Sequence, residues 1–193
     1  VRVGFKLVAV VTSLSCIMLV SACGSGQGGS SSSPSAPPEP TPQEQAAAYF
    51  RELAPVLKID KSLSKKTSAL GHMELQDLDD AYSVAAAMNG AFQPAIERAR
   101  EMLATITPPP QFRLAHARLR RVWALASDAL YFISDSLQRA VFTQTLDPGF
   151  KAKGDRYMAR LREASRKYEA AIREGAKKAH VKVPKRLLLE TPY

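Results

Sequence analysis

Residues 103–123 read LATITPPPQFRLAHARLRRVW, and the three prolines in their middle, Pro108, Pro109 and Pro110, separate two apolar seams with the same period. Before the prolines, Leu75, Leu78, Tyr82, Ala85, Asn89, Phe92, Ile96, Ala99, Leu103 and Ile106 follow one another in steps of three and four. After them, Phe112, His116, Leu119, Trp123, Ala126, Leu130, Ile133, Leu137 and Ala140 do the same. Side chains spaced this way line one face of a helix with 3.6 residues per turn, so each seam predicts one long amphipathic helix. Proline has no N–H to donate to the helical ladder, so the run stops the first helix and starts the next.

The same alternation extends outward in both directions. Downstream, Asp147 and Pro148 open a fourth helix with an inward face of Phe150, Gly154, Met158, Leu161, Ser165, Tyr168, Ile172, Gly175 and Ala179. Upstream, Thr41-Pro42-Gln43-Glu44 combines a cap residue, a proline at the first helical position and a glutamate three residues after the cap, which marks a helix start. That first helix ends at Gly71. No stretch alternates with period two, so the expected fold is all-α. Short connections between long helices predict an antiparallel up-down four-helix bundle over residues 42–183, with a C-terminal tail over 184–193.

The N-terminal segment has a different chemistry. Arg2 and Lys6 precede fourteen mostly apolar residues, Leu7 to Val20. At ~1.5 Å per residue these cover about 21 Å, short of the roughly 30 Å hydrocarbon layer that a spanning helix must cross. A basic start, a short apolar run and then small residues form the layout of a secretory signal peptide. The end of this run, Leu19-Val20-Ser21-Ala22-Cys23, resembles the lipobox of bacterial lipoproteins. That resemblance implies cleavage after residue 22, a diacylglyceryl thioether on Cys23, and a mature protein held on the extracytoplasmic face of a bacterial membrane. One acyl chain holds a protein only reversibly, whereas two give stable attachment. Residues 23–41 then form a linker. Its Gly/Ser-rich part behaves as a coil spanning about 17 Å, and its proline-rich part as a stiffer spacer adding ~28 Å.

Composition narrows the chemistry. The 193 residues include 27 Lys and Arg against 18 Asp and Glu, and only two cysteines, Cys16 and Cys23. The helical region therefore has no disulfide, cysteine nucleophile or thiolate metal site. No Glu-x-x-His pair lies near His72, His116 or His180, and zinc-protease, P-loop and dinucleotide motifs are missing. No catalytic residue, metal or cofactor is read from the sequence, and the expected role is a non-enzymatic binding or scaffolding module of the cell envelope.

Three features remain as candidates. Pro55 and Pro94 fall at similar heights in an antiparallel pair, level with Trp123 and close to Tyr168, so two kinks there could open a small apolar pocket. Asp60 and Asn89 also share a height, and a polar pair between them would set helix register. From Thr145 onward 13 Lys and Arg face 6 acids, which suits either a solvated face or attraction to anionic lipid headgroups or wall polymer. An unidentified protein partner fits the same role, whereas nucleic acid is not expected outside the cytoplasm. His116, on the seam of the third helix, reads as a core histidine bonded to a carbonyl or a water. The Pro-rich turn before it resembles that of helical domains in uncharacterised bacterial lipoproteins, which supports the bundle and implies no activity.

Overall fold

A computed structural model describes residues 39–71 and 78–189, and among these every regular element is helical. The first helix, α1 (Pro42–Gly71), starts at the expected capping box. The Glu44 carboxylate accepts from the Thr41 backbone N–H at 2.7 Å and from its hydroxyl at 2.8 Å. Thr41 Oγ1 accepts the Glu44 N–H at 3.3 Å in return. These bonds hold the Glu44 carboxyl below the usual range. The helix continues through Pro55 without ending.

The second rod comes in pieces. Helix α2 (Leu78–Ala87) runs into a π turn at Met88–Phe92 and then into α3 (Gln93–Thr105). The Gln93 N–H reaches back to the Met88 carbonyl, one residue further than in an α-helix. Pro94 lacks an N–H, and its ring crowds the carbonyl four residues earlier, so widening the ladder just before it accommodates both. The sequence seam does not pass through intact: Ala85, Phe92, Ile96, Ala99 and Leu103 are buried as expected, whereas Tyr82 and Asn89, expected on the same inward face, are exposed.

After Phe112, which closes a 3₁₀ turn, α4 (Arg113–Thr143) runs unbroken to Gln144, whose left-handed backbone (φ 55°) ends it. Helix α5 (Phe150–Lys178) begins beyond a turn in which Asp147 accepts the Gly149 N–H at 2.7 Å and pairs with Lys153 at 2.8 Å. Those two partners, Lys153 foremost, hold the Asp147 carboxyl below its ordinary value. Helix α4 is the central rod, packed on α2, α3 and α5, while α1 packs on α3. Tyr49 near the start of α1, Leu103 near the end of α3, and His116 near the start of α4 meet at one end of the molecule. Gly175, near the end of α5, joins them there, so the rods alternate in direction.

The tail departs from expectation. Helix α5 ends in a Schellman motif, in which the Val181 N–H bonds to the Ala176 carbonyl at 3.0 Å and the His180 N–H to the Lys177 carbonyl at 3.1 Å. His180 takes the left-handed conformation (φ 54°), which turns the chain back. Residues 184–189 are therefore part of the folded body. Leu187 and Leu189 are buried in the main core, and the turn at Lys185–Leu187 packs on α1. The physical reason is the apolar side chains of Val181, Val183, Leu187, Leu188 and Leu189, which cover core surface that four rods leave open.

Candidate functional site

The densest chemistry lies at the end where α1 begins. Tyr49 stacks on Phe112 with ring centroids 5.1 Å apart, and Phe50 meets the same ring edge-on at 5.2 Å. Beneath them His116 is 6% exposed. Its Nε2 lies 3.0 Å from the Leu103 carbonyl and its Nδ1 lies 3.3 Å from the Tyr49 hydroxyl. A carbonyl only accepts, so Nε2 carries the proton and Nδ1 accepts from Tyr49. Burial, opposed by the Leu103 bond and aided by Arg120, pushes the His116 pKa below its usual value. This histidine is neutral with both nitrogens engaged, and ties α1, α3 and α4 into one layer. With no free nitrogen and little access, it is not placed to move a proton for a substrate.

On the other side of this core Tyr168, fully buried, donates to the Leu187 carbonyl at 3.0 Å and so fastens the returning tail to α5. Burial first, and then the fields of Tyr49, Asp60 and Glu169, hold the Tyr168 phenol well above its ordinary value. Burial likewise raises Tyr49. Neither phenol ionises in the physiological range.

The candidate positions separate. Trp123 and Tyr168 are core residues, while Pro55 and Pro94 are exposed. A shallow groove does form beside Pro94, lined by Ile59, Ser62, Leu63, Lys66, Ala95 and Arg98, but Trp123 does not line it. The Trp123 indole N–H is buried with no hydrogen-bond partner among the described residues. Such an orphan costs about 1–3 kcal/mol. Asn89 is exposed rather than buried, and its side-chain oxygen accepts from Ser134 of α4 at 2.8 Å. Register between the second rod and α4 is thus marked by Asn89 and Ser134, and Asp60 belongs to the surroundings of Tyr168. Ser134 was invisible as a partner because a serine on an apolar seam carries no signal of what faces it.

Leu19, Val20, Ser21, Ala22 and Cys23 lie outside the described residues. Among the described residues no group of three or more His, Cys, Asp or Glu could hold a metal ion. No helix among them is long and apolar enough to cross a membrane. No family model, no curated protein and no solved structure matches the chain.

Proposed function

We propose that this chain is the precursor of a bacterial lipoprotein, anchored through a thioether lipid on Cys23 to the extracytoplasmic face of a membrane. Its antiparallel bundle acts there as a non-enzymatic binding or scaffolding module of the envelope. One observation carries the reading: Leu19-Val20-Ser21-Ala22-Cys23 closes an apolar run too short to span, and a Gly/Ser/Pro-rich linker follows at once. The residue types suit the chemistry, since a thiol supplies the sulfur nucleophile for lipid transfer and small side chains before it admit a peptidase. Arrangement within the domain is compatible with this role. The capped start of α1 follows the linker directly, and the nearby polar groups of Tyr49, His116 and Tyr168 are spent on holding elements together.

The test is replacement of the sulfur. Cys23→Ala is expected to leave an uncleaved precursor that takes up no labelled fatty acid, read by electrophoretic mobility and by label incorporation in bacterial cells. Processing and labelling identical to those of the parent chain would defeat the reading.

A further inference from the structure

Charge is divided unequally between the two sides of the bundle. Residues 42–105 carry seven Lys and Arg against nine Asp and Glu, whereas residues 113–178, which form α4, α5 and their turn, carry fifteen against seven. Helices α4 and α5 are neighbours, and the Arg118 guanidinium donates to the Lys167 carbonyl at 2.8 Å, so a cation is fixed across the seam between them. From that level, helical spacing places Leu114 and Arg121 on the same stripe of α4 as Arg118, and Arg160 and Arg156 on the same stripe of α5 as Lys167.

Arg121, Arg156 and Arg160 are exposed and, among the described residues, take part in no ion pair. The acids along the seam compensate only in part. Glu163 is shared by Arg166 and Lys167, and Glu174 by Lys178, while Asp128 faces solvent. Leu114, one turn before Arg118 on the same stripe, stands at one end of this row of cations with 58% of its surface exposed. A soluble polyanion would leave that leucine wet. A planar bilayer with anionic headgroups satisfies the cations and also takes an apolar side chain between its headgroups.

We propose that the α4/α5 side of the bundle, with Arg118, Arg121, Arg156, Arg160 and Lys167 beside exposed Leu114, seats on an anionic lipid surface. The proposal rests on the anchored reading and names what the tethered domain touches first. Helix α4, with 31 residues, is about 46 Å long, and the Gly/Ser/Pro-rich composition of residues 23–41 suits a linker of comparable reach. The bundle can therefore lie with this side along the membrane that holds it.

The test uses residues 23–193 carrying Cys23→Ala, which lack the basic, apolar leader as well as the sulfur to be acylated, so the outcome is independent of the anchoring experiment. Co-sedimentation in 0.1 M salt compares phosphatidylcholine vesicles with vesicles in which three lipids in ten are phosphatidylglycerol. Binding to the anionic vesicles is expected to be at least tenfold tighter and to fade by 0.5 M salt, since each cation near the surface is worth about fivefold. Arg121→Glu with Arg160→Glu is expected to lose that preference by tenfold or more. Lys58→Glu with Lys65→Glu, which changes net charge equally on α1, is expected to stay within twofold. Leu114→Ser is expected to lose roughly fivefold. Equal binding to both vesicle types, or equal losses from the two charge-reversed pairs, would overturn the proposal. Stronger capture by a soluble polyglycerol phosphate, with Leu114→Ser making no difference, would also overturn it in favour of a wall polymer.

Discussion

The two ends of the bundle differ in what their described residues touch. At the end where α1 begins, α1, α3, α4, α5 and the returned tail converge on Tyr49, Phe50, Phe112, His116, Tyr168 and Leu187. At the far end the described core shrinks to Ala81, Val84, Ala85 and Leu137, with Ile133, Val141, Leu146 and Phe150 at its margin. Phe132 there stacks on Phe150 at 5.8 Å and Tyr157 at 5.2 Å, yet Tyr82, Tyr131 and Phe142 face solvent. Two glycines of α5 register the contrast. A Cβ at Gly175 would come within 2.6 Å of the Phe112 ring and 2.7 Å of the Gln111 carbonyl, whereas a Cβ at Gly154 would meet nothing within 4 Å. Among the described residues, one end is locked by close approach and polar bonds, while the other leaves Gly154 open and the rings of Tyr82, Tyr131 and Phe142 in solvent.

The largest expected effect tests whether the tail belongs to the end where α1 begins. Leu187 is fully buried, so Leu187→Ala is expected to cost about 2–5 kcal/mol in urea-induced unfolding. A cost below about 0.5 kcal/mol would mean that the segment after residue 183 contributes nothing to that core. The glycine pair comes next, and its two members should differ in sign. Gly175→Ala forces the aromatic layer to move and is expected to destabilise by about 1–3 kcal/mol. Gly154→Ala should stabilise by about 0.5–1 kcal/mol, because alanine is the better helix former where space is open. Equal effects at both positions, measured by thermal or urea unfolding, would erase the contrast between the ends.

The smallest effect concerns only the end where α1 begins. Burial holds the His116 pKa below its unfolded value of about 6.5, so the unfolded chain takes up the proton first as pH falls. The contribution is intact above that pH and declines below it. Stability is expected to fall from pH 6.5 towards pH 5 by up to ~1.4 kcal/mol per unit, and His116→Gln should flatten that slope. The depressed carboxyls of Glu44, Asp147 and Glu163 lose their own contributions only at lower pH, which leaves this window to the histidine. An unchanged slope in the variant would remove the proton from His116.

Much of this was legible along the chain. The capping box at Thr41, the terminating Gly71, the proline run and the seams of α3, α4 and α5 are signals read within a few residues, where local hydrogen bonding and apolar spacing act. His116 as a core residue was legible too, since its place on the seam of α4 says inward. Its partners were not. The Leu103 carbonyl and the Tyr49 hydroxyl lie 13 and 67 residues away, and no spacing along α4 encodes them. The pairing of Asp60 with Asn89 was read from rise along two rods, and rise alone does not reveal that Ser134 of α4 meets the Asn89 side chain. The tail did carry a signal, in Val181, Val183, Leu187 and Leu189 at odd positions among basic residues, which the charge of Lys182, Lys185 and Arg186 masked.

The sequence by itself determined the rods, because a helix is chosen by propensity, caps and a repeat of apolar residues within a few turns. It also carries the cysteine motif and linker on which the anchored reading depends. Only the tertiary structure decided which serine meets Asn89, which carbonyl satisfies His116, and that Leu187 and Leu189 complete the core. Those contacts depend on surface left uncovered when separate rods come together, a quantity that no single segment holds.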